Sequence, residues 1–96
     1  MTPTRDKKPP APWLPAPYVL ADASALQAIE RGEADAEQQK RAMRWIIEAA
    51  ADTYGMSFRP GLEGARDTDF AEGRRFVGQQ VVKMIKLNLN TLRGKQ

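Results

Sequence analysis

Covalent chemistry needs a nucleophile, a base or a set of metal ligands, and few side chains of this sequence could supply one. The chain holds neither histidine nor cysteine. Thiolate nucleophiles, thiolate or imidazole zinc sites, disulfides and Ser-His-Asp or Cys-His arrangements are therefore excluded. The one side chain that ordinarily titrates near neutrality is missing as well. What remains is a group of acids, Glu63, Asp67 and Asp69, and the pair Arg74-Arg75. Two carboxylates can share acid-base work when their surroundings set their pKa values apart. These acids instead stand where a helix is predicted to begin, and negative charge is favoured there by the helix dipole alone. They are read as caps and first-turn charges, and their spacing is not that of a calcium or magnesium loop. No catalytic residue, cofactor or metal ligand is assigned, and the chain is read as non-enzymatic. Gly55 to Asp67 is rich in glycine but lacks the Gly-x-x-x-x-Gly-Lys-Ser/Thr arrangement and follows no predicted strand, so it is not read as a phosphate loop. Arg74-Arg75 has the chemistry to bind phosphate, and is read at least as readily as ion-pairing with Glu72, with a neighbouring acid or with a partner's acids.

The elements that must carry these residues are predicted to be helices. A short first helix is expected over about 22–31, with Asp22 or Ser24 as cap and Gly32 as terminator. The second begins at Asp35, where Gln38 three residues on makes an aspartate version of a capping box. Ala42, Met43, Ile46, Ile47, Ala50 and Ala51 follow at three-and-four spacing, with Tyr54 extending the stripe and Gly55 placed to end it. Trp45 lies off the stripe's centre, flanking the core or facing a partner. Pro60-Gly61 marks a turn in the connection that follows, and Phe58 and Leu62 are expected to tuck inward. The last helix is predicted from Thr68 to Leu92, capped by Asp67 or Thr68, with Phe70, Val77, Val81, Met84 and Ile85 as its main apolar face. Gly73 and Gly78 lie inside it at a cost of roughly 1 kcal/mol each against alanine. Close helix approach beside Val77 is the expected reason, and Phe76 on another side either widens the core or joins an interface. The predicted fold is all-α: a short helix, then a long antiparallel helical hairpin.

Ahead of this helical domain, residues 21–96, stands an arm, residues 1–20, which carries six of the seven prolines. Prolines fix their own φ and bias their predecessors away from helix, so the arm is expected to be extended. Its Trp13 and Tyr18 either fold back over the helices or anchor a partner. No run of about 18 apolar residues occurs, so no membrane span is predicted, and a cytoplasmic site of synthesis is expected. The net charge of +3 is unevenly placed. Residues 70–96 hold six basic side chains, Lys83 and Lys86 among them, against Glu72 alone, a local net of +5; residues 21–69 hold ten acids against six bases, a net of −4. Such segregation suits head-to-tail association or a charged macromolecular partner. Weak, salt-dependent nucleic-acid contact along the last helix is a further reading.

Arg41 to Ala50, then Ser57-Phe58, then Thr68 to Gly78 resemble a family of small structural proteins of tailed bacteriophages named after a Bordetella phage member. The block Phe70-Ala71-Glu72-Gly73-Arg74-Arg75-Phe76-Val77-Gly78 is its specific part; Ser57-Phe58 stands where the family pattern has a Ser-x-Phe element. The resemblance implies a virion or assembly protein that binds other virion proteins or its own copies. A small phage regulatory or inhibitory protein acting on a host macromolecule is the alternative, and a nonspecific nucleic-acid binder the third. The residues expected to meet a partner are Trp13, Tyr18, Trp45, Arg74, Arg75, Phe76, Lys83 and Lys86; Gly73, Val77 and Gly78 are expected to pack the last helix on the second. Arg74 and Arg75 are expected to be oriented by that crossing, at least one in a structural ion pair.

Overall fold

A computed structural model describes residues 11–94. The arm's Pro3, Pro9 and Pro10, and Lys95 of the basic terminus, lie outside the described residues. All regular structure among the described residues is helical. Helix α1 spans Leu20–Glu30 and α2 spans Ala36–Arg44. A six-residue π-helical stretch, Trp45–Ala50, continues α2 without a break. After a connection come α3, Gly64–Lys86, and a short α4, Leu89–Gly94.

Local chemistry accounts for most of these limits. The Asp35 carboxylate accepts from Gln38 N–H at 2.8 Å and the Gln38 amide oxygen accepts from Asp35 N–H at 3.0 Å, the reciprocal cap read from the sequence. Gly32, at φ 74°, ends α1 in the left-handed region. Helix α1 starts two residues ahead of expectation because Asp22 lies inside its first turn and accepts from Val19 N–H at 3.0 Å. Asp22 also meets Arg41 near the end of α2 at 2.8 Å, the register of an antiparallel pair. Helix α1 packs along α2 through Ala25, Ala28 and Ala42, all buried.

Three expectations are corrected. The second helix ends at Ala50 rather than Gly55: Ala51 N–H reaches back five residues to Ile46 O, and Asp52 takes the left-handed φ of 51° that reverses the chain. Tyr54 is therefore past the helix and exposed. The last helix begins at Gly64, leaving Asp67 in its first turn and Thr68 beyond capping range; the Thr68 hydroxyl instead accepts Arg59 N–H at 2.8 Å. It breaks at Leu87, whose extended ψ of 143° lets Asn88 cap α4 by accepting from Asn90 and Thr91 N–H.

The long antiparallel hairpin expected from the sequence is not packed along its length: among the described residues α3 meets the second helix chiefly at the π-helical stretch. The core is correspondingly thin. Its buried apolar residues are Ala25, Ala28, Ala42, Ile47, Ala51 and Ala71. Larger side chains lie outside: Met43, Met56, Phe58, Leu62, Phe70, Phe76, Val77, Met84 and Ile85 are all exposed. Phe58 and Leu62 thus do not tuck inward. Arg59 does, its guanidinium donating to the carbonyls of Met56, Ser57 and Phe58 and curling the connection around itself.

Candidate functional site

The chemistry of the crossing starts from the end of the second helix. A helix terminus leaves carbonyls without intrahelical donors, and its dipole makes that end electronegative. The Arg74 guanidinium fills this need. Its Nε donates to Ala50 O at 3.0 Å, one terminal nitrogen to Ala49 O at 3.0 Å and the other to Pro12 O at 2.9 Å. A single planar cation thereby holds α3, the helix end and the arm together, a role the fixed fork of arginine suits and lysine does not. Pro12 is the largest fully buried side chain among the described residues.

Arg75 does the same for the turn that follows. It donates from Nε to Thr53 O at 3.2 Å and from one terminal nitrogen to Ser57 Oγ at 3.2 Å, and pairs with Glu72 at 2.8 Å. The Ser57 hydroxyl, then the Arg75 guanidinium, hold the Glu72 carboxyl below its ordinary range. Thr53 closes the turn from the other side, its buried hydroxyl donating to Ile47 O at 2.7 Å. Gly78 lies directly against it: a Cβ there would run into the Thr53 hydroxyl and the Ala51 methyl. Gly78 is thus required by close approach.

The expected packing trio is only partly brought together. Gly73 has open space where a Cβ would stand, and Val77 is 55% exposed, so the crossing rests on Gly78 with Ala71, Arg74 and Arg75. The expected ion-pair role falls to Arg75, while Arg74 meets carbonyls and, among the described residues, no acid. Arg74 uses Nε and both terminal nitrogens within the chain, and Arg75 uses Nε and one terminal nitrogen, so the first role of both is to hold the crossing together. Trp45 is partly committed too. Its indole N–H donates to Pro17 O at 2.9 Å, a second tie that lays residues 12–17 back on the helices. The described part of the arm, residues 11–19, folds back through its backbone while Trp13 and Tyr18 stay exposed, at 56% and 67%.

The outward surface has two parts. An open groove of about 740 Å³ separates the arm from the helix end, lined by Leu14, Pro17, Ala49, Met56 and Arg74. The second part is α3 outside the crossing. Of the apolar face predicted to build the core, Phe70, Val77, Met84 and Ile85 are each 49–67% exposed, with Val81 half-buried. The reason is the crossing itself: α3 meets the other helix's carbonyl end with donors and small residues at Ala71, Arg74, Arg75 and Gly78, and its large apolar side chains are left uncovered beside and beyond that contact. Phe76 is exposed at 60%. Lys83 and Lys86 are exposed and form no ion pair among the described residues, and neither does Asp69. Glu63, the remaining acid of the helix start, stands 4.0 Å from Arg66 on the surface. Among the described residues no group of three acids is placed to hold a metal ion, and no helix is long and apolar enough to cross a membrane.

These features define a small all-α protein fastened by arginine-to-carbonyl clamps, with its larger apolar side chains turned outward. In comparisons with protein-family models, curated proteins and solved structures, the chain matches none.

Proposed function

We propose that this chain is a non-enzymatic assembly protein of a bacteriophage particle, covering its outward apolar side chains with another virion protein or with copies of itself. The observation that carries the binding role is the inversion of burial. Five alanines and one isoleucine form the buried apolar core, whereas Trp13, Tyr18, Phe58, Phe70, Phe76 and Met84 are exposed. Fully burying one large apolar side chain is worth about 1.5–3 kcal/mol. A surface that leaves many of them outside therefore favours association, and contiguous exposed apolar area marks interaction sites. The phage setting rests on the block Phe70 to Gly78, whose residues divide between the clamp and the outward face. Particles and assembly intermediates purified from infected cells should contain the protein when analysed by mass spectrometry. Its absence from both would overturn the proposal.

A further inference from the structure

Resting on that reading, we propose that the partner of α3 is a second copy of the same helix, packed antiparallel about a two-fold axis at Val77. Phe70, Val77 and Met84 recur every seven residues on the outward side of α3, each 49–67% exposed. A seven-residue apolar repeat is the seam of paired helices, in which the 3.5-residue period keeps one stripe facing the partner. The stripe runs for about 21 Å at 1.5 Å per residue. Gly73 lies within it. Among the described residues, no atom outside its immediate neighbourhood comes within 4 Å of the place its Cβ would occupy, so none of them requires glycine there. A helix interior tolerates glycine at a cost of about 1 kcal/mol, and close approach by a second helix supplies the missing reason.

Charge selects both the partner and its direction. Asp69 flanks the stripe at one end and Lys83 at the other, on the same side of the helix, and neither has an ion-pair partner among the described residues. In a parallel pair Asp69 and Lys83 would each lie on the opposite edge of the seam from their counterparts, and Lys83 would face Asn88 rather than an acid. Reversal about Val77 sets Phe70 against Met84 of the other copy, Val77 against Val77, and Asp69 beside Lys83, twice. The two helix dipoles then also oppose. An isologous pair of this kind needs only one surface to be complementary to itself, and this acid-to-base order along one apolar stripe is complementary to its own reverse.

Sedimentation equilibrium of the full chain tests the pairing. The wild type should dimerise in the micromolar range, and Val77→Glu, which sets like charges on the axis, should leave a monomer of unchanged helicity by circular dichroism. Asp69→Lys alone should weaken the dimer about tenfold, equivalent to about 1.4 kcal/mol, and Asp69→Lys with Lys83→Glu should restore it. A monomeric wild type, or a dimer indifferent to Val77→Glu, would overturn the proposal. Failure of the double reversal to restore affinity would overturn the antiparallel register. Each of these outcomes leaves the virion reading to its own test in purified particles.

Discussion

Glycine and arginine do opposite work at neighbouring positions of α3, and the block from Phe70 to Gly78 makes sense only when its two sides are separated. Toward the body face Ala71, Arg74, Arg75 and Gly78, which need small size or donors because they meet a helix end rich in carbonyls. Away from it face Phe70, Gly73 and Val77. Two substitutions of one chemistry should therefore have opposite signs. Gly78→Ala drives a methyl into Thr53 and Ala51, and should destabilise the chain by roughly 2 kcal/mol, in the range of overpacked interiors. Gly73→Ala meets open space and should stabilise it by about 1 kcal/mol through helix propensity. Urea unfolding followed by circular dichroism, at concentrations where the chain is monomeric, reads both. A destabilising Gly73→Ala would mean that the glycine has an intramolecular role after all.

At the level of elements, the Asp35–Gln38 cap, the Gly32 terminator and the all-α architecture were legible because each depends on residues within one turn of sequence. The π-helical stretch was not, since Trp45 to Ala50 carries no local signal for a five-residue hydrogen bond. Its consequence, that Ala49 and Ala50 present carbonyls to a guanidinium, arises only once α3 crosses it. The apolar periodicity of α3 was visible too, but periodicity tells which residues share a face and not what covers that face. The tie between α1 and α2 depends instead on the carboxylate of Asp22. Asp22 accepts from Val19 N–H and pairs with Arg41; the Val19 hydrogen bond first, then Arg41, hold its carboxyl below the ordinary range of an aspartate. Glu72 is likewise held below the ordinary range of a glutamate. A depressed carboxyl contributes stability above its unfolded pKa and loses it as pH falls through the folded value. Stability should thus be flat above about pH 5 and fall progressively below about pH 4. Asp22→Asn should lower stability at neutral pH and flatten part of that acid limb, as read from urea midpoints across pH; an unaltered limb would assign the acid sensitivity elsewhere.

For the whole molecule, the balance between a thin alanine core and an exposed apolar shell makes concentration a determinant of stability. Below about 80 residues a single core supplies only about 3–5 kcal/mol, and here the largest apolar side chains contribute little to it. Burial of Phe70, Val77 and Met84 against another copy would add to the folded state without adding to the unfolded one, and mass action then links folding to association. The thermal midpoint should rise with protein concentration by about 3 °C for each tenfold, which is 1.4 kcal/mol per dimer set against an unfolding entropy of about 2.1 cal/mol/K per residue. Differential scanning calorimetry over two decades of concentration makes the measurement. Val77→Glu should abolish the dependence while keeping the midpoint of the dilute wild type, because Val77 is exposed within the chain and its substitution touches nothing in the clamp. A midpoint independent of concentration in the wild type would show that the exposed shell plays no part in stabilising the fold through self-association, and would leave a different macromolecule as its cover.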